Sequence, residues 1–72
     1  MNKKQAEKLA KQAIEIVTVG NPEPVAEQTV LLKNADGSYC VVDNGEQVDN
    51  LDKTSAIRIM VENLTEYLDG ED

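Results

Sequence analysis

Four carboxylates recur at three-residue spacing in the segment VVDNGEQVDNLDKTS, and they are the residues of this chain best suited to chemistry: Asp43, Glu46, Asp49 and Asp52. Oxygen ligands in one loop can bind a cation, and paired carboxylates can act as general acid and base. The segment also contains Asn44-Gly45, a typical hairpin-turn pair. A cation loop, a β-turn and a helix entry are therefore three competing interpretations.

The calcium interpretation fails against the EF-hand template. A loop beginning at Asp43 needs an oxygen ligand at its third position, glycine at its sixth and glutamate at its twelfth. The chain places Gly45, Val48 and Thr54 at these positions. A loop beginning at Asp49 fails too, because Thr54 then stands where glycine is required. We therefore predict no metal site.

The chain has few residues that could support other kinds of catalysis. The chain has no histidine, which removes Ser-His and Cys-His nucleophiles and His-containing zinc sites. Its one cysteine, Cys40, lies in a predicted strand between apolar neighbours, which favours a buried hydrophobe over a reactive thiol. Carboxylate catalysis needs an enclosed pocket, and so small a domain offers little enclosure. We expect no enzymatic activity and no cofactor.

The length of 72 residues allows one domain, 1–72, with a thin core. That core lacks phenylalanine and tryptophan, so a protein partner or a second copy of the chain would add stability. No apolar segment resembles a leader or a membrane span, and the single cysteine needs no oxidising compartment. These features predict a cytoplasmic protein.

Charge is distributed unevenly along the chain. Residues 1–19 contain four lysines and two glutamates, whereas residues 20–72 contain three basic and twelve acidic side chains, and the net charge is −7. Nucleic acids and anionic membranes are bound chiefly through Lys and Arg, so neither is an expected partner. A basic protein partner is the better expectation.

Helical periodicity marks both ends of the chain. Apolar residues gather on one face from Lys3 to Val17, with Asn2 as a candidate cap and Gly20 to Pro24 as the stop. A second apolar stripe runs from about Lys53 to Leu68, with Asp52, Thr54 or Ser55 as candidate caps. Ile59 lies about 160° from the centre of this stripe. It therefore meets another element or remains exposed to a partner.

Two β-branched segments between the helices predict a hairpin. They are Thr29 to Lys33 and Tyr39 to Asp43, and Asn-Asp-Gly turn chemistry separates them. A short third strand at Glu46 to Val48 would follow Asn44-Gly45. The predicted fold class is α+β, a small two-layer domain in the order α-β-β-(β)-α, in which the helices pack on an antiparallel sheet of two or three strands.

The faces of the predicted hairpin depend on the length of its loop. A loop of two or four residues places Val30 and Leu32 on one face with Tyr39 and Val41, and puts Leu31, Cys40 and Val42 on the other. A loop of three or five residues reassigns these partners. Because both faces are apolar, we expect helices to cover one face and a partner to contact the other.

The expected function is a small acidic, non-catalytic protein-interaction module that binds a protein partner, and a homodimer is one form of this interaction. The candidate partner-binding residues are Glu46, Asp49, Ile59, Leu31 and Val42. In length, acidity and the order helix, hairpin, helix, the chain also resembles phage-encoded inhibitors such as anti-CRISPR proteins, with no shared motif. This resemblance implies the alternative, a nucleic-acid-mimicking inhibitor of phage or mobile-element type that blocks a basic nucleic-acid-binding protein.

Overall fold

The α+β architecture is confirmed by a computed structural model that describes residues 3–69, with side chains described as far as Thr65. Within these residues, six elements follow one another: α1 (Lys3–Ile16), β1 (Glu23–Pro24), β2 (Thr29–Lys33), β3 (Tyr39–Asp43), β4 (Glu46–Leu51) and α2 (Lys53–Asp69). The strands form one antiparallel sheet in the order β1-β2-β3-β4. The sheet thus has four strands, where the sequence predicts two or three.

The first helix forms where its periodicity predicts. Its buried side chains are Ala6, Ala10, Ala13 and Ile14, and they recur every three or four residues. The N–H of Val17 still bonds the carbonyl of Ala13 at 2.9 Å, and Gly20 then adopts a φ of +83°, a conformation that is strained for other residues. The predicted cap, Asn2, lies outside the described residues.

The strand that the sequence does not reveal is β1, inside the proline-containing linker. Glu23 pairs with Leu31 and Pro24 pairs with Val30. Proline cannot donate to a ladder, so it is tolerated in a strand at the edge of a sheet. The N–H of Val25 bonds the carbonyl of Thr29 at 2.9 Å and closes the turn into β2.

The loop between β2 and β3 has five residues and sets the register. The N–H of Asn34 bonds the carbonyl of Ser38 at 2.8 Å, and Ser38 in turn donates from both N–H and Oγ to Asp36 Oδ1. Opposite residues are Val30 and Val42, Leu31 and Val41, Leu32 and Cys40, and Lys33 and Tyr39. The two- or four-residue alternative is therefore wrong, because the turn NADGS is used in full and shifts each partner by one residue.

The hairpin between β3 and β4 confirms the turn predicted at Asn44-Gly45. Both residues have positive φ, +51° and +86°, and they connect the paired residues Asp43 and Glu46. This is the type I′ geometry that Asn-Gly favours. The following strand is longer than predicted and contains a bulge at Asn50, whose φ is +59°.

One core lies between the two helices and a single face of the sheet. The sheet contributes Leu31, Tyr39 and Val41, and α2 contributes Ala56, Met60, Val61 and Leu64. Asp52 caps α2, since its Oδ1 accepts the N–H of Ser55 at 2.7 Å and this bond lowers the pKa of the carboxyl group. The predicted stripe extends to Leu68, whose side chain lies outside the described ones. In the described part of the chain, neither helix is long and apolar enough to cross a membrane.

Candidate functional site

The face of the sheet turned away from the helices remains uncovered by the described residues, and we call it the open face. It is formed by Pro24, Val30, Leu32, Cys40, Val42, Gln47 and Asp49. Val30, Leu32 and Val42 are half-buried and take no part in the hydrophobic core. The sheet is thus apolar on both sides, with helices on one side alone.

Cys40 lies within the open face but is sealed by its neighbours. Its side chain is 1% exposed. Burial is the largest cause that raises the pKa of the thiol, to about 11, and the adjacent Asp49 carboxylate adds to the effect. The thiol is therefore protonated at neutral pH and is a poor nucleophile.

We expect Cys40 to react with a thiol reagent such as DTNB at least about a hundredfold more slowly in the folded protein than in urea, because a pKa two units higher lowers the thiolate fraction by that factor. The rate at pH 7.5, followed by absorbance, measures this difference. Equal rates in the two states would show that the folded thiol is accessible and ionises as readily as in the unfolded chain.

The four regularly spaced carboxylates do not converge. Asp43 accepts a hydrogen bond of 2.7 Å from the Thr29 hydroxyl, and Asp52 caps α2. Asp49 accepts both bonds of the Gln47 amide, at 3.0 and 3.1 Å, and these bonds lower its pKa. Within the described residues, no group of three or more His, Cys, Asp or Glu side chains is placed to hold a metal ion. Asp43 thus has a structural partner on β2, and Asp52 has one in the first turn of α2.

The candidate partner-binding residues lie on different surfaces. Leu31 is fully buried against the helices, so its prediction as a contact residue is wrong, and the five-residue loop is the reason. Val42 lies on the open face with Asp49, while Glu46 is exposed at the turn end of β4. Ile59 belongs to the helix layer, where it is half-buried and packs against the core. Val42 and Asp49 are therefore the candidates that share one surface.

Val30 and Leu32 lie on the same face as Cys40 and Val42, which a loop of two or four residues would not allow. The signal that could have found them is the turn NADGS, in which four of the five residues have a hydrogen bond or a special backbone conformation. Asn34 Nδ2 donates to Ser38 Oγ at 3.0 Å, and Gly37 adopts a φ of +91°. A loop that uses all five residues leaves Lys33 opposite Tyr39.

The seam between α1 and α2 offers shallow grooves instead of an enclosed pocket. The side chains that line one of these grooves carry both signs of charge: Lys3, Glu7, Lys11, Arg58 and Glu62, with Thr54, Ile57 and Val61 between them. An acid–base site needs a pocket that excludes water, and these grooves are open to solvent. The open face is therefore the better candidate site.

No protein-family model, no curated protein and no solved structure matches this chain.

Proposed function

We propose that the protein is a small acidic, non-catalytic interaction module that binds a protein partner through its open face. The observation that carries this proposal is the apolar cluster of Val30, Leu32 and Val42, which lies on the side of the sheet opposite the core. Sheets with one solvated face normally alternate apolar and polar residues, so three neighbouring aliphatic side chains there require another explanation. A partner surface supplies it.

The polar residues that border the apolar cluster favour a partner with basic residues at the rim of its contact surface. Gln47 and Asp49 on β4 border the apolar cluster, and the bonds from Gln47 keep Asp49 ionised by lowering its pKa. Burying the remaining exposed area of each aliphatic side chain would contribute on the order of 1 kcal/mol. A complementary charge at the rim would mainly add specificity and association rate.

The replacement Val42→Lys should abolish capture of this partner. A lysine can keep its amine in solvent beside the sheet, so the fold is retained while a charge enters the apolar contact. The matched control is Ile16→Lys, since Ile16 is 60% exposed and belongs to α1, in the helix layer on the other side of the sheet. Immobilised wild type and both variants would be used to capture proteins from the source cell, with quantification by mass spectrometry.

A protein held by the wild type and by Ile16→Lys, but released from Val42→Lys, is the expected result. Capture of the same proteins in equal amounts by all three chains would refute the proposal. Circular dichroism of the variants confirms that each one is folded.

A second candidate function is the nucleic-acid-mimicking inhibitor, and the exposed carboxylates of β4 favour it. Glu46 and Asp49 lie about 10 Å apart on β4, and Asp52 follows just beyond the strand, at the start of α2. The pKa values of Asp49 and Asp52 are both lowered by hydrogen bonds, so these groups carry charge over a wide pH range. In the same capture experiment, such a target would elute at moderate salt and compete with nucleic acid, whereas a target of the open face would tolerate salt.

A further inference from the structure

The β4 strand forms an edge of the sheet, and its outer side is free of other described elements. It pairs with β3 alone, and each residue from Glu46 to Asn50 is exposed. The opposite edge differs, because β1 has two residues and Val19 bridges to Lys33 beside it. An exposed edge strand presents unpaired N–H and C=O groups that can pair with another chain.

The pairing with β3 determines which backbone groups of β4 point outward. A two-residue turn is closed by a hydrogen-bonded pair, here Asp43 and Glu46, and such pairs alternate along an antiparallel ladder. Glu46 and Val48 therefore direct their N–H and C=O groups toward β3. Gln47, and then Asp49 at the start of the bulge, direct theirs to the outside.

These outward groups are self-complementary about Val48. If β4 pairs antiparallel with the same strand of a second copy and a two-fold axis passes through Val48, Gln47 lies opposite the partner's Asp49. Both residues then present outward backbone groups, as a hydrogen-bonded pair requires. Glu46 lies opposite the partner's Asn50. Each carboxylate thus faces an amide side chain, and no acid faces an acid.

The neighbouring symmetric registers fit less well. An axis through Asp49 sets the two Asp49 carboxylates against each other, which is destabilising. An axis through Gln47 sets Glu46 opposite the partner's Val48. The axis through Val48 instead joins two Val48 side chains, each of which is 42% exposed in the single chain.

We propose that β4 pairs antiparallel with β4 of a second copy, symmetrically about Val48, so that one sheet continues through both molecules. The inference rests on the proposed function, since it treats the chain as an interaction module, and it names a second copy as one partner. The contact lies on the edge of the sheet, so the open faces of both copies remain available side by side. The bulge at Asn50 ends the pairing.

Cross-linking tests the register. In a Cys40→Ala background, Val48→Cys places two thiols in a non-hydrogen-bonded pair with Cα atoms about 4.5 Å apart, a distance that a disulfide spans. The matched control is Glu46→Cys on the same exposed strand. In the proposed register the two cysteines at position 46, one in each molecule, are displaced along the strands by about 14 Å, which is too far for a disulfide. Both proteins would be oxidised with diamide and resolved on a non-reducing gel.

The expected result is a covalent dimer from Val48→Cys formed at least tenfold faster than from Glu46→Cys. Equal rates, or a faster reaction of Glu46→Cys, would overturn the proposal. Sedimentation equilibrium of the unmodified protein should show a dimer fraction that rises with salt, because each copy carries a net charge of −7 that salt screens. A monomer at all concentrations and salt levels would also overturn it.

The failure of this inference is distinguishable from that of the proposed function. If Val48→Cys fails to cross-link while Val42→Lys still releases a captured protein, the edge contact is refuted and the open-face proposal stands. If Val48→Cys cross-links while Val42→Lys captures the same proteins as the wild type, the edge contact stands and the open-face proposal is refuted.

Discussion

Replacement of Leu31 by alanine is expected to lower the free energy of unfolding by about 3 kcal/mol, within the range of roughly 2 to 5 kcal/mol for buried leucines. Leu31 has no exposed surface and lies opposite Val41 on the face that the helices cover. A domain of this length has a total stability of only about 4 to 10 kcal/mol. Leu31→Ala should therefore shift the urea midpoint strongly, as followed by circular dichroism.

The neighbouring residue provides the matched control. Leu32→Ala removes the same atoms one position along β2, but Leu32 is half-buried on the open face and does not pack against the core formed by the described residues. Its expected effect is about 1 kcal/mol or less. If Leu32→Ala were the more damaging change, the two faces would be exchanged and the register inferred from a shorter loop would be correct. Similar large losses for both variants would mean that each face is covered.

The contrast between Leu31 and Leu32 also shows which parts of the fold can be predicted from sequence. Periodicity is a local property, and it correctly predicts both helices and the strands that contain these leucines. The side of the sheet on which a given side chain lies depends on the register between its strand and the neighbouring strand. Adding or removing one loop residue shifts this register by one and exchanges the two faces. Asn44-Gly45 could be assigned because a two-residue turn has one strongly favoured sequence, whereas NADGS fits several loop lengths.

Two other differences between the predicted and the observed fold, at β1 and at the bulge in β4, have a related cause. The pairing of Glu23 and Pro24 with β2 is tolerated at an edge but follows from no local preference for strand structure. The bulge at Asn50 adds one residue to β4, a feature that side-chain alternation does not reveal. Both features concern backbone pairing, and side-chain types constrain pairing only weakly.

The candidate site was predictable to a similar extent. Asp52 is one of three helix caps that its position before an apolar helix allows. Two apolar faces predict a contact on one of them, without deciding whether it is the face of Val42. Asp43 is different, because its partner Thr29 lies fourteen residues earlier in the chain and meets it only through the register of β2 and β3. The carboxylates are evenly spaced in the sequence, but the pairing of the strands gives them different roles.

The role of Asp43 leads to the second large effect. Asp43→Ala should lower the free energy of unfolding by about 1 to 3 kcal/mol, because the Thr29 hydroxyl, on a side chain that is 3% exposed, loses its acceptor. Thr29→Val removes the hydroxyl while nearly keeping the shape of the side chain, although it leaves the carboxylate without this donor. Urea denaturation of the wild type, both single variants and the double variant measures the coupling between them.

We expect the double variant to be about 1 kcal/mol more stable than the sum of the single effects predicts, since it leaves neither partner unsatisfied. Additivity within about 0.5 kcal/mol would mean that the contact contributes nothing to stability. A measured coupling assigns Asp43 to the framework of the sheet, as the capping bond assigns Asp52 to α2. Glu46 and Asp49 are then the two carboxylates of the original series that remain on β4 to meet a partner.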